Sequence, residues 1–544
     1  MPGEGELIVA PLGTCITNLG SPAPTAVRTR RHFARRHPTA TKAHRTTVMR
    51  ISYETESILA ATGLSAPLGC HVGGKWLLSV SDTRLPIEDP ATGRIFAEVV
   101  EGGDDEVDQA AEAAQRAYDG EWSVISPADR GVLLMALGQL LLKEQEALAQ
   151  LESVDTGKPL SQARQDIVMA ARYFTYFAGA ADKVTGHTLW ASKADLSYTV
   201  REPFGVVAQI IPWNSPLAQL ARGVAPALAA GNTVVVKPSE LAPLSSLALA
   251  LLAAQANFPP GTLNVVTGTG TRAGSALAAH PLVRQITFTG SVETGRSVLR
   301  ASADHIVPCT LELGGKSPTL VFPDADLADA ATAAVGALRR NSGQSCSATT
   351  RILVHERVHD ELLERVLEKA GRLTLGPGML DRDLGPVISR RQLDRVLGLI
   401  DSARAQGATV ASGGVSPADP DLADGYFCEP TVVAGVVNSM KVAQEEVFGP
   451  VQCLMAFTDE EEAVAIANDS AYGLSAGVFT NDFSRAHRLA RKLKAGQVHI
   501  NGYPLDSAET PFGGYKSSGI GREKGVQAIA SYTQVKTVLA RVTS

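Results

Sequence analysis

GVVAQII (205–211), NTVVVK (232–237), LNVV (263–266), RQITF (284–288) and CTLEL (309–313) are five short runs rich in β-branched and apolar residues, separated by stretches with helical spacing. Runs that stay apolar along most of their length suit strands buried on both faces, and their alternation with helices implies a parallel, doubly wound α/β sheet. Upstream, DEVDQAAEAAQRAY, from Asp105, and PADRGVLLMALGQLLLKEQEALAQLE (127–152), opened by Pro127, have apolar residues at helical spacing, and each is expected to form an amphipathic helix. Downstream, about 314 to 516 again mixes helices such as LADAATAAVGALRR with strands such as TRILV. A second α/β layer is expected there, with the site in the cleft between the two.

Length agrees with this division, because 544 residues exceed what one hydrophobic core holds. Hydrophobic residues make up 44% and charged residues 19%, a globular composition with no apolar run near the length of a membrane span. MPGEGELIVAPLG lacks the basic start of a secretory signal, so no membrane and a cytoplasmic location are the expectation. Cys15, Cys70, Cys309, Cys346, Cys428 and Cys453 are scattered without a CxxC pair, which suits reduced thiols. Residues 1–53 hold eight Lys/Arg against two acids, leaving 42 basic and 54 acidic residues in the rest. An acidic body argues against nucleic-acid binding by the folded part. Residues 1–68, with RTRRHFARRHPTATKAHR at 28–45, are expected to be a disordered, dispensable basic extension. The same composition also fits a targeting segment, a nucleic-acid tail, or translation begun upstream of Met49.

The short motifs each have a plain reading beside a chemical one. GTGTRAG (268–274) has one residue too many for the dinucleotide fingerprint. FTGSVETG (288–295) turns from a strand through Gly290 into a helix whose free N–H groups can meet a pyrophosphate, with Ser291 donating; it also fits an ordinary strand-to-helix turn. KPSE (237–240) puts Lys237 and Glu240 at the carboxyl end of a buried strand, where α/β sheets bind ligands and a carboxylate suits paired ribose hydroxyls. HERVH (355–359) matches a zinc motif literally, but TRILVH reads as a strand ending at His355, so the two His do not share a helix and no metal is expected. Cys346 ends NSGQSC (341–346). A free cysteine is usually a packed thiol, whereas a turn-rich loop presents its sulfur. A presented thiolate needs an oxyanion donor and a base for water, for which Asn214 in PWNSP and Glu312 in LELGGKSP are candidates; a turn residue and a paired strand-end carboxylate are the alternatives.

Taken together, IPWNSP, KPSE, FTGS, LELGGK, GQSC and EEVFGP, in this order and spacing, resemble the NAD(P)-dependent aldehyde dehydrogenase superfamily over about residues 70–544. DPATGRIFAEV near residue 89, NDSAYGLSAGVFT at 468 and PFGGYKSSGIGRE at 511 add to the likeness. The resemblance implies a Rossmann-like cofactor domain (69–184 and 204–313), an α/β catalytic domain (314–516), and a small β oligomerisation arm with a C-terminal strand (185–203 and 517–544). It implies that Cys346 attacks an aldehyde to give a thiohemiacetal, that the Asn214 amide and the Cys346 N–H hold the oxyanion, and that hydride passes to the nicotinamide. Glu312 would then activate water to hydrolyse the thioester, and its presence favours hydrolysis over acyl transfer to CoA. Trp213, Lys237, Glu240, Gly290, Ser291, Glu446 and Phe448 match the cofactor site, with Glu240 favouring NAD over NADP. Where relatives line the substrate tunnel with aromatics, this chain has Ser215 and Arg222, while Phe512 keeps one. Arg222 can favour a polar, anionic or hydroxyaromatic aldehyde, or point into an interdomain salt bridge. A homodimer or homotetramer acting on a small-molecule aldehyde is implied.

Overall fold

The computed structural model describes residues 55–78, 83–190, 192 and 194–542. Its first sheet has eight strands, in the order Gly519–Ile520, Cys309–Glu312, Val283–Thr289, Val206–Ile210, Thr233–Lys237, Leu263–Val265, Cys70–Val72 and Lys75–Leu77. The five strands expected from the sequence form its parallel centre. Antiparallel strands close both edges. Strands Val206–Ile210 and Thr233–Lys237 are buried at every residue, as helices on both faces require. One covering helix, Pro216–Ala230, is buried along its whole length, opens with Pro216 in the first turn and stops at Gly231, whose φ of +99° is left-handed.

The second sheet has seven strands, Thr409–Ser412, Thr431–Ala434, Val451–Phe457, Arg351–His355, Pro318–Val321, Ser475–Phe479 and Gln497–Ile500 in spatial order, parallel except for the first. Each sheet packs its own apolar clusters, and both belong to one compact unit. A third, small sheet pairs Asp195–Pro203 with Thr533–Arg541 and Thr188–Leu189.

Two expectations need correction. Residues 55–68 do not belong to a disordered extension: Thr55–Ala61 is a helix, and Ile58, Leu64 and Leu68 are buried in the main core. Their three apolar side chains are too few and too unevenly spaced to show as a periodic pattern, yet they find a surface to cover. The remainder of the proposed extension, with Cys15, lies outside the described residues. The run 127–152 is two helices, Pro127–Lys143 and Gln145–Thr156, hinged at Glu144. Glu144 donates its N–H to Leu140 O and accepts from Leu148 N, so it ends one helix and starts the other without leaving a gap in the hydrogen bonding.

Among the described residues, no single helix is long and apolar enough to cross a membrane. His355 ends a strand and His359 begins the helix His359–Ala370, so HERVH spans a strand-to-helix junction.

Candidate active site

Parallel α/β sheets collect ligands at the carboxyl ends of their strands, and here those ends carry the polar residues singled out in the sequence. Trp213 and Asn214 follow strand Val206–Ile210, Lys237 ends its strand, Gly290 follows Val283–Thr289, and Glu312 ends Cys309–Glu312. From the second layer, the loop after helix Leu327–Arg339 brings Cys346 to the same place.

That loop is bent by three successive left-handed residues, Asn341 at φ 47°, Ser342 at 53° and Gly343 at 72°. Two non-glycine residues in this region are strained and persist only where surroundings hold them. The holders are explicit. Asn341 N donates to Gln162 Oε1 at 2.7 Å, Asn341 Nδ2 to Asn214 O at 2.7 Å, and Ser342 Oγ to Gly385 O at 2.7 Å. Gln344 is fully buried, donating to Asn341 O and accepting from Ile388 N. Gly343 must be glycine for a second reason, since a Cβ there would lie 2.1 Å from Gly449 O, in the FGP turn.

Cys346 is half-buried and faces a cavity of about 500 Å³ that is also lined by Asn214, Ser215, Gln219, Arg222 and Phe512. Burial pushes its thiol up to about 11; Arg222 pulls it down, and Glu446 and Glu312 push the other way. Asn214 Nδ2 donates to Gln344 O at 3.0 Å, two residues before the cysteine. Glu312 is 1% exposed, and neither carboxylate oxygen has a hydrogen-bond partner. Burial, then the neighbouring Glu523, hold it well above the usual carboxylate range, against Arg222, Arg522 and Lys524. A Cβ on Gly513 would lie 2.7 Å from Glu312 Oε1, so a bare backbone gives this carboxyl its room.

Arg222 meets the cavity and a salt bridge at once. It lines the cavity, and its Nε is ion-paired with Glu523. Its guanidinium also stacks 5.1 Å from the Phe512 ring centroid and donates to Gln219 Oε1 at 3.1 Å and Thr289 Oγ1 at 3.2 Å. Ser215, at the start of helix Pro216–Ala230, accepts from Lys158 Nζ at 3.4 Å. Lys158, itself 1% exposed, is paired with Asp166 and, at 2.8 Å, with Glu152.

The remaining predicted residues do not line this cavity, and each has partners of its own. Lys237 Nζ meets Glu240 Oε2 at 3.1 Å. Burial lowers the Lys237 pKa; burial also raises that of Glu240, but Lys237 and the Gly270 N–H outweigh it and keep the carboxylate ionised. Ser291 caps helix Val292–His305, accepting from Thr294 N at 3.1 Å and donating to Thr294 Oγ1 at 2.9 Å, so its hydroxyl is engaged within its own turn. Glu446 Oε1 accepts from Gly315 N at 2.9 Å, and burial raises its pKa to about 7. Trp213 and Phe448 meet edge to face, 5.3 Å between centroids, with Phe448 at a left-handed φ of 57°. Two carboxylates, Glu240 and Glu446, and the start of helix Val292–His305 supply acceptors and backbone N–H donors of the kinds a dinucleotide takes. Among the described residues, no group of three or more His, Cys, Asp or Glu is placed to hold a metal ion.

Sequence reasoning passed over Glu523, Gln219, Lys158 and Gly315. Glu523 had one usable signal, a charged residue directly after the glycine-rich PFGGYKSSGIGR. Gln219 had none, because a lone amide on a helix is ordinarily a surface residue.

The model of the aldehyde dehydrogenase family matches residues 76–538. An aldehyde dehydrogenase of Emericella nidulans is 42% identical over 88% of this chain and 95% of its own. A hydroxyisobutyraldehyde dehydrogenase of Mycolicibacterium austroafricanum is 44% identical over 89% of this chain and 96% of its own. The solved structure of Staphylococcus aureus betaine aldehyde dehydrogenase in complex with NAD+ is 39% identical, with a TM-score of 0.87, covering 90% of this chain and 98% of that one.

Proposed function

The chain belongs to the aldehyde dehydrogenase family, and from that premise we propose how its residues divide the work of NAD-dependent aldehyde oxidation, RCHO + NAD+ + H2O giving RCOOH + NADH + H+. The single observation that carries the assignment is a loop-presented thiol and an amide lining one cavity, with a partnerless buried carboxyl behind them whose charge the thiol feels.

Cys346 is the nucleophile. With its pKa near 11 it rests as a thiol, so it attacks as the thiolate once its proton has passed to solvent, the H+ of the net reaction. The Cys346–carbonyl bond forms as the C=O pair moves to oxygen. Asn214 Nδ2 has two hydrogens, and Gln344 O takes one, which leaves the second for the oxyanion beside the Cys346 N–H. Bound NAD supplies the hydride acceptor that turns the thiohemiacetal into a thioester. Glu312, with both oxygens free, takes a proton from water, whose oxygen attacks the thioester carbonyl and releases the acid and the Cys346 thiol. A raised carboxyl pKa makes Glu312 a stronger base than an exposed glutamate once it is ionised.

Glu240 and Lys237 would hold the adenosine ribose, the helix end at Ser291 the pyrophosphate, and Glu446 the nicotinamide ribose, with Trp213 and Phe448 walling that end. A 2′-phosphate would meet the Glu240 carboxylate, which supports NAD over NADP. The cavity's charged lining, including Lys158, Asp166, Arg222, Arg340, Asp506 and Lys524, supports a polar aldehyde, and Phe512 supplies its apolar wall. The exposed Leu196, Val535 and Leu539 on the small sheet support pairing of subunits into a dimer or tetramer. We place the enzyme in the cytoplasm, consistent with five described cysteines that are all free thiols.

The test is stopped-flow NADH formation with aliphatic, aromatic and amino aldehydes. A rapid burst followed by steady turnover is expected for the wild-type chain, and none for Cys346→Ala, which still binds NAD. Appreciable turnover by that variant would remove the assignment.

A further inference from the structure

Asn214 does not stand alone. A continuous chain of buried side chains runs behind it: Arg222 Nη2 donates to Gln219 Oε1 at 3.1 Å, Gln219 Nε2 donates to Asn214 Oδ1 at 2.9 Å, and Asn214 Nδ2 donates to Gln344 O at 3.0 Å. All three side chains belong to residues buried to 8% exposure or less.

The two ends of this chain have fixed polarity. A guanidinium has donors and no acceptor, and a backbone carbonyl oxygen only accepts. Gln219 must therefore turn its oxygen toward Arg222, which leaves its NH2 facing Asn214. Asn214 must in turn offer its oxygen to Gln219 and its NH2 to the Cys346 loop. Any reversed amide sets two oxygens, or two sets of N–H groups, against each other among side chains that are at most 8% exposed, and each such mismatch is costly. Arg222 cannot swing away from this duty, since Glu523 holds its Nε and Phe512 packs on its face.

We infer that Gln219 and Arg222 are positioning residues that fix which way round the Asn214 amide sits, so that the amide presents hydrogen rather than oxygen to the developing oxyanion. The inference rests on the reading of Asn214 as the oxyanion donor. Its chemical content is directional: a side chain at position 219 that accepts from both neighbours forces Asn214 to turn over, whereas an apolar side chain of similar size merely stops enforcing the order.

The test is a double-mutant cycle between Gln219→Glu and Asn214→Ala, read as the rate of the NADH burst. Gln219→Met serves as the apolar control. Asn214→Ala alone and Gln219→Glu alone are each expected to slow the burst by about 10²–10³-fold, the effect of losing one oxyanion donor, with NAD affinity unchanged. In the Asn214→Ala background, Gln219→Glu is expected to add less than about threefold, because it acts through a group already gone. Gln219→Met should stay at least about tenfold faster than Gln219→Glu. Additive losses, or equal losses in the Glu and Met variants, overturn the positioning role while leaving the donor role intact. A normal burst in Asn214→Ala overturns the donor role itself. If the Glu variant does not fold, neutron diffraction from deuterated wild-type crystals decides. Deuterium is expected on the Asn214 atom facing Gln344 O and on the Gln219 atom facing Asn214, and the reversed assignment at either amide overturns the inference.

Discussion

Glu312→Gln separates the two halves of the reaction. The substitution keeps shape and hydrogen-bonding reach but removes the ability to accept a proton. Glu312 is 1% exposed and partnerless at both oxygens, so no neighbouring base stands in for it within its own hydrogen-bond shell. General-base assistance contributes about 10²–10⁴-fold, so thioester hydrolysis should slow by about that factor. Hydride transfer precedes that step, and a burst of about one NADH per site should survive, as for other enzymes that accumulate an acyl intermediate.

The same carboxyl also links folding to pH. Its folded pKa is raised by burial and by Glu523, so the native chain binds the proton more tightly than the unfolded chain. That contribution to stability is fully present below the unfolded carboxyl pKa and is lost as pH rises through the raised folded value. Glu312→Gln should therefore lose less thermal stability than wild type over this upward pH range. The assays are stopped-flow absorbance for burst and steady rate, and thermal unfolding against pH. Steady-state turnover close to wild type, or a loss of the burst together with the steady rate, would refute the reasoning.

Gly513→Ala should act on the same step. Its Cβ would lie 2.7 Å from both Glu312 Oε1 and Gly521 O, at a φ of +153°, so we expect a loss of about 1–3 kcal/mol in unfolding free energy and slower deacylation with an intact burst. Lys158→Met removes the cation between Glu152 and Asp166, and equilibrium unfolding in denaturant should show a loss of about 3–5 kcal/mol, as for other broken buried pairs. Glu446 titrates near 7, so NAD binding measured by fluorescence should tighten as pH rises through about 7, where the carboxylate forms, and Glu446→Gln should flatten that dependence.

The parallel sheet was legible because its strands are apolar along their length and bounded by turns, a pattern that survives without tertiary context. Cys346, Asn214 and Glu312 were legible because each sits in a short motif at a strand or helix end, where the chain leaves regular structure. What the sequence did not reveal lies in relations between distant segments. The ion pair of Arg222 with Glu523 spans the Gly223–Arg522 interval, and each partner alone looks like a surface charge. The Arg222–Gln219–Asn214 order depends on Gln219 and Arg222 lying one turn apart on a helix whose every residue is buried, where polar side chains do not mark an exposed face. Ile58, Leu64 and Leu68 were missed for a related reason, since a short helix contributes too few apolar residues to announce its period. Ser291 shows the converse: its motif was visible, but only the folded turn reveals that its hydroxyl already serves Thr294.

The most direct measurement is mass spectrometry of the Glu312→Gln variant, quenched in acid during turnover with aldehyde and NAD and then digested. The expected result is the acyl mass of the substrate on the peptide carrying Cys346. An unmodified Cys346 peptide alongside a full burst of NADH, or the acyl mass on another cysteine, would contradict it.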